Sequence, residues 1–208
     1  MNVARPSKIV CVGRNYVAHA KELGNELPER PMIFLKPPSA IVPSGGPIIL
    51  PRVSSQVEYE GEIGVVIGRR LKRASPAEAE QGIGGFTCVN DVTARDLQKP
   101  DGQWGRAKGF DTFCPVGPRV ANGLDWRGLE VITRLNGAER QRAPSTEMHF
   151  SIPELLSYIS GVMTLEPGDL VATGTPAGVG ALAPGDVVEV EIPGVGVLSN
   201  HVMAEEDT

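Results

Sequence analysis

The segment Val57-Glu58-Tyr59-Glu60-Gly61-Glu62-Ile63-Gly64-Val65-Val66-Ile67-Gly68 carries glutamates at alternate positions. On an extended backbone successive side chains face opposite ways, so Glu58, Glu60 and Glu62 project together, spaced roughly 7 Å apart. Three like charges in a row repel, and an exposed face bathed in water would relieve them. The continuation argues for burial instead. Ile63 to Ile67 is apolar on both faces, the mark of a strand covered on both sides. A strand that enters a core with carboxylates at its mouth needs a cation there, because an unpartnered buried charge is costly. Hard oxygen ligands select magnesium, manganese or calcium over zinc. A further ligand has to come from another stretch. Asp91 stands where the strand-like run through Gly84-Gly85-Phe86 ends in the polar cluster Asn90–Asp96, although Asn-Asp after a strand is more often a turn.

The elements that would position these groups are short. Apolar strands are expected at Lys8–Val12, Met32–Leu35, Ile48–Leu50 and Val57–Ile67, with one or two helical turns over Val17–Leu23. Two helices announce themselves through capping boxes, Ser75-Pro76-Ala77-Glu78 and Ser151-Ile152-Pro153-Glu154. Leu155, Leu156 and Ile159 follow the second at helical spacing. Asn136-Gly137 signals a hairpin after Val131–Leu135. Pro-Gly turns separate Leu170–Ala172, Val187–Ile192 and Val195–Val202. The expected fold class is α+β, mostly β, with two or three short helices.

Composition narrows the function. With 208 residues, 41% hydrophobic and 22% charged, the chain suits one domain with a substantial core. A net charge of −5, with aromatics at 5%, argues against a nucleic-acid partner. No apolar run is long enough for a bilayer span and no signal peptide is evident, so a cytoplasmic location without membrane contact is expected. Cys11, Cys88 and Cys114 form no close-spaced pair and read as small core residues. His149 and His201 read as structural.

Six segments in order resemble the fumarylacetoacetate hydrolase family, in particular its single-domain acylpyruvate hydrolases and oxaloacetate decarboxylases. They are Gly13-Arg14-Asn15-Tyr16 with His19 and Glu22, then Phe34-Leu35-Lys36-Pro37, then Tyr59-Glu60-Gly61-Glu62. Asn90–Asp96, Lys108–Phe113 and Thr173–Gly180 complete the set, so the likeness runs from about Ile9 to His201. The resemblance implies a mixed β-roll over residues 1–208, with N-terminal strands and a lid helix in 1–50 and the metal-binding roll in 51–208, assembled as a homodimer. It makes Glu60, Glu62 and Asp91 the metal ligands, for magnesium or manganese, with calcium able to substitute in crystals. It places His19 and Glu22 as a dyad on the lid, Lys108 beside the metal, and Thr175 in a turn that binds the substrate carboxylate. Gly109 stands where the family commonly has Ser. Glu58 is expected behind the ligands or solvated.

The implied substrate is a small 2-keto acid. A chelated cation would act as a Lewis acid on the enolate formed when the C3–C4 bond breaks. Loss of carbon dioxide needs no external nucleophile, whereas cleavage of an acylpyruvate needs a water and a base. His19 suits that base, with Glu22 three residues on orienting the ring. Lys108 would stabilise developing negative charge, Arg14 would pair with a substrate carboxylate or with Glu22, and the turn from Gly174 to Gly180 leaves room for backbone N–H groups to face an anion. The rival within enzymes is an isomerase, hydratase or decarboxylase of 2-hydroxydienedioates from aromatic catabolism. A Ser or Cys nucleophile lacks the Gly-x-Ser-x-Gly pattern. A non-catalytic small-molecule binding domain is the remaining class.

Overall fold

A computed structural model describes residues 5–22, 24 and 26–206. In chain order its elements are β1 (Ile9–Gly13), α1 (Val17–Glu22), β2 (Met32–Lys36), β3 (Ile41–Pro43), β4 (Pro47–Leu50), β5 (Val57–Tyr59) and β6 (Gly61–Ile67). Then come α2 (Pro76–Glu80), β7 (Ile83–Asn90), β8 (Thr93–Ala94), α3 (Arg95–Asp101), α4 (Gly105–Gly109) and β9 (Cys114–Ala121). The chain closes with β10 (Glu130–Leu135), β11 (Ala138–Pro144), α5 (Ile152–Val162), β12 (Leu170–Ala172), β13 (Gly180–Ala181), β14 (Val187–Ile192) and β15 (Gly196–Ala204).

The strands form curled mixed sheets, as expected for the α+β, mostly β class. A seven-stranded sheet runs β2-β1-β12-β6-β7-β9-β3 and a five-stranded sheet runs β11-β10-β14-β15-β4. A small third sheet, β13-β5-β8, sits at one end. The main core cluster joins Val10, Ile63, Val65 and Phe86 of the larger sheet to Val131, Val190 and Leu198 of the five-stranded one. Helix α5 adds Leu155, Leu156 and Ile159, all fully buried, each worth roughly 1.5–3 kcal/mol relative to exposure. Both predicted capping boxes are present, at Ser75/Glu78 and Ser151/Glu154. The hairpin between β10 and β11 turns at Asn136 and Gly137, whose φ angles of 53° and 78° suit a primed turn.

The described residues hold five α-helices where two or three were expected. The additional pair, α3 and α4, carries none of the usual start signals. Ala94 and Trp104 offer no side-chain cap, and Pro100 lies inside α3. Their stability comes from docking on one another and on β8. Helix α1 ends at Glu22, and Leu23 lies outside the described residues. The expected strand Val57–Ile67 is interrupted at Glu60, whose N–H turns to the Asn90 side chain. No helix among the described residues is long and apolar enough to cross a membrane.

Strand direction decides where chemistry can sit. Strand β1 pairs parallel with β12, β12 antiparallel with β6, and β6 antiparallel with β7. The ends of β1, β12 and β7 and the start of β6 therefore meet at one edge. That edge collects residues 13–19, 173–180, 58–62 and 90–91 from four distant parts of the chain.

The opposite edge is fastened by Asp169, which accepts hydrogen bonds from the Ser7 hydroxyl (2.6 Å) and the Glu166 amide (2.8 Å) and pairs with Lys8. Burial alone would raise this carboxyl, but hydrogen bonds from Lys8, Ser7 and the Glu166 amide hold it below its usual range. A depressed carboxyl stabilises the fold above its unfolded pKa, and the contribution disappears as pH falls through the folded value. Asp169→Asn should thus lose about 2 kcal/mol near neutrality. In denaturant titrations its deficit against wild type should shrink on acidification below about pH 4.

Candidate metal centre and cavity

Glu60 and Glu62 bracket the start of β6, and Asp91 follows the end of β7. The register Gly61↔Asn90 brings the two stretches together, and the Asp91 amide donates to the Glu60 carbonyl at 2.8 Å. One oxygen from each of Glu60, Glu62 and Asp91 lies within 4.8 Å of the others. The three residues are 4%, 1% and 1% exposed. Gly61 is required between them, because a Cβ there would fall 1.9 Å from the Thr133 hydroxyl oxygen.

Burying these carboxylates demands positive charge, and the structure supplies part of it. Lys108 Nζ donates to Glu60 Oε2 at 2.7 Å and to Asp91 Oδ2 at 2.6 Å. Lys36 Nζ reaches the other Asp91 oxygen at 2.5 Å and the Val92 carbonyl at 3.0 Å. Arg95 spans Glu58 and Glu60 and donates to Gln98 at 2.6 Å. Glu58 is buried and stands behind the ligands on Arg95, one of the two places expected for it.

The titration behaviour follows from these contacts. Burial would raise Glu60, but Lys108 and Arg95 hold it well below the carboxylate range. Burial would lower Lys108, but Asp91 and Glu60 keep it charged. Glu62 is the exception. Burial, then Asp91 and Glu60, push it well above its usual value, and its one hydrogen-bond donor among the described residues is the Gly174 amide at 2.8 Å. Four carboxyl groups (Glu58, Glu60, Glu62, Asp91) meet three cations (Lys36, Arg95, Lys108), and Glu62 is the one left without a cationic partner. An all-carboxylate donor set with a charge deficit at Glu62 fits a hard divalent cation.

The cluster forms the floor of a cavity of about 480 Å³ whose walls include Arg14, His19, Phe34, Trp104 and Thr175. Phe34 and Trp104 meet edge to face with centroids 5.2 Å apart. His19, only 5% exposed, holds its Nδ1 3.3 Å from Glu22 Oε2. Glu22 also accepts the Gly178 amide at 3.0 Å, so α1 rests on the Thr173–Gly180 turn. That turn needs glycine at 178, where φ is +100° and a Cβ would sit 2.0 Å from the Arg140 carbonyl oxygen.

Eight of the nine site residues expected from the sequence thus face one cavity or serve its wall. The ninth, Gly174, spends its amide on Glu62 and positions that carboxylate from behind. Thr175 lines the cavity, but its hydroxyl donates to the Gly61 carbonyl (2.9 Å) and accepts from Gln141 (2.8 Å). Arg14, half buried with φ at 57°, has no side-chain partner among the described residues. His149 and His201 lie outside the cavity. Burial pushes all three cysteine thiols up, Cys88 and Cys114 to about 12, which removes them as nucleophiles. Lys36, Arg95, Gln98 and Trp104 were not foreseen as site residues. Lys36 and Arg95 fall inside motifs already singled out, but nothing in their local spacing reveals that they face carboxylates.

The family described as fumarylacetoacetate (FAA) hydrolase C-terminal matches residues 8–203. A protein of Methanocaldococcus jannaschii is 52% identical over 202 residues, 97% of this chain and 85% of that one. The oxaloacetate tautomerase YisK of Bacillus subtilis is 44% identical over 214 residues, 96% of this chain and 71% of that one. Among solved structures, 2-hydroxyhepta-2,4-diene-1,7-dioate isomerase from Mycobacterium marinum superposes with a TM-score of 0.91 at 49% identity, covering 98% of this chain and 77% of that one. Fumarylpyruvate hydrolase from Pseudomonas aeruginosa, in complex with Mn2+ and pyruvate, gives 0.90 at 35% identity, covering 96% and 91%.

The charge deficit makes a testable demand. With Mn2+ at about a hundred times its dissociation constant, wild type should gain ~2.7 kcal/mol of stability, read as a rise in Tm. Glu62→Gln should abolish that gain. In chelator the order should reverse with pH. A carboxyl raised in the folded state loses stability as pH climbs above its unfolded value near 4.3, so the glutamine variant should gain on wild type in that direction.

Proposed function

This chain belongs to the fumarylacetoacetate hydrolase family, and on that premise we propose that it cleaves a carbon–carbon bond in a small 2-keto acid, by acylpyruvate hydrolysis or oxaloacetate decarboxylation, with magnesium or manganese as cofactor. The observation that carries the reading is the placement of His19, held by Glu22, in the same cavity as the Glu60, Glu62 and Asp91 cluster. When bound, a divalent cation supplies Lewis-acid polarisation of the keto oxygen and stabilises the enolate.

The remaining work falls to side chains of this chain. With Nδ1–H given to Glu22, the His19 ring presents Nε2 as an acceptor for a proton. Glu22 fixes that tautomer and stabilises the imidazolium once the proton has arrived. Lys108, clamped between two carboxylates, keeps its positive charge at the place where negative charge develops on substrate oxygen. Helix α1, seated on the Gly178 turn, excludes bulk water and strengthens each of these interactions.

Isomerisation of a 2-hydroxydienedioate is the second reading. It is favoured by the likeness to the M. marinum isomerase at 49% identity. It uses His19 to take the proton from the C2 enol hydroxyl and return one to C5, leaving a 2-oxo-3-enedioate, rather than to activate water. The two readings share the cavity and differ in whether a carbon–carbon bond breaks.

His19→Ala separates hydrolysis from decarboxylation. On the main reading, kcat for acetylpyruvate cleavage should fall by about 10²–10⁴-fold. Loss of carbon dioxide from oxaloacetate, which needs no water nucleophile, should fall much less. Equal losses on both substrates would assign the dyad another role. Product analysis with a 2-hydroxydienedioate in magnesium buffer tests the isomerase reading directly.

A further inference from the structure

Gly61 separates the carboxylates of Glu60 and Glu62, and it is buried. On an extended backbone the N–H and C=O of one residue face the same side. Those of Glu60 turn to β7, to the Asn90 side chain and the Asp91 amide. Those of Gly61 therefore turn the other way, toward β12. Pairing of β6 with β12 stops at Gly64↔Ala172, short of Gly61. A buried peptide N–H and C=O without partners would cost as much as lost hydrogen bonds.

Two side chains from other parts of the chain close this gap. Gln141 Oε1 accepts the Gly61 N–H at 3.0 Å, and its Nε2 donates to the Thr175 hydroxyl and to the Pro176 carbonyl, both at 2.8 Å. The Thr175 hydroxyl donates in turn to the Gly61 carbonyl at 2.9 Å. The ring is closed, and every direction in it is set. Turning the Gln141 amide over would point its NH2 at the Gly61 N–H, and the single Thr175 hydroxyl proton goes to the Gly61 carbonyl. Gln141 is 2% exposed although Arg140 and Arg142 on either side of it in β11 are exposed. It lies opposite Thr133, beside a bulge in the β10–β11 hairpin, and a bulge re-aims side chains next to it.

We propose that Gln141 is a positioning residue of the metal centre: its ring with Thr175 and Gly61 fixes both peptides between Glu60 and Glu62, and so the spacing of their carboxylates around a dication. This rests on the metal-dependent reading given above and adds what holds two of the ligands in place. Thr175 then acts through Gly61, because its hydroxyl proton is already committed there.

Calorimetric titration of the full chain with Mn2+ alone, without a keto acid, reads the ligand geometry apart from turnover. Gln141→Met keeps the length of the side chain and removes the amide. Thr175→Val keeps the shape and removes the hydroxyl. Each should weaken Mn2+ binding by about tenfold or more, the usual cost of losing a group that orients metal ligands. The double variant should lose little more than the worse single one, since both open the same ring. Thr175→Ser, which keeps the hydroxyl, should bind Mn2+ as wild type does. A Gln141→Met protein with a lower Tm in chelator but an unchanged Mn2+ Kd would reduce Gln141 to a fold-stabilising residue and overturn the assignment. Wild-type Mn2+ affinity in Thr175→Val would overturn it too, and this variant decides the matter if Gln141→Met does not fold. Fully additive losses in the double variant would defeat the ring. If wild type itself takes up no Mn2+, the metal reading fails and the positioning role fails with it.

Discussion

Burying carboxylates without enough positive charge is the constraint around which this structure is organised. The carboxylates of Glu60 and Asp91 can sit in the interior because Lys108 and Lys36 are buried with them and Arg95, half-buried, pairs with Glu60. Removal of one partner from such a set is far more damaging than the bare ion pair is stabilising, since it strands a charge in low dielectric. Lys36 shows how far the structure goes to avoid this. Its whole aliphatic stem lies inside the protein so that its ammonium can meet Asp91 and the Val92 carbonyl. Only Glu62 remains without a cation, and it stands next to the cavity. One residue would thus serve two opposed ends: the unpartnered burial that weakens the fold at Glu62 is also what would attract a dication.

The backbone around the site is chosen for close approach. Gly61 lets β6 pass over Thr133, and Gly178 lets its turn lie against Arg140. Both positions are glycine because another strand occupies the place of a side chain. The turn chemistry of the last third of the chain therefore serves the first third, since the residues it frees to approach are Glu62 and Glu22.

Much of this was legible in the sequence, and the reasons are local. Alternation along Val57–Ile67 and the two-faced apolar run after it placed carboxylates at the mouth of a buried strand. Capping boxes at Ser75 and Ser151 are written in four consecutive residues each, and both form. What escaped depends on tertiary contact. Helices α3 and α4 are held by each other rather than by propensity, so no window of sequence announces them. Arg95 and Lys36 are ordinary basic residues until the fold sets them against Glu58, Glu60 and Asp91. Gly174 looked like an anion-binding amide, and it is one, but the anion it holds is Glu62 of the same chain.

The double engagement of Glu22 has a wider consequence. One carboxylate holds both the His19 ring and the Gly178 amide, and since His19 and Glu22 both belong to α1, a swing of the helix away from the turn would break the Gly178 contact and carry the pair off as a unit. The imidazole and the carboxylate that orients it therefore enter or leave the cavity together. An open protein would meet a ligand with the paired histidine withdrawn from the carboxylate floor, and one contact, the Gly178 amide on Glu22, would mark its return.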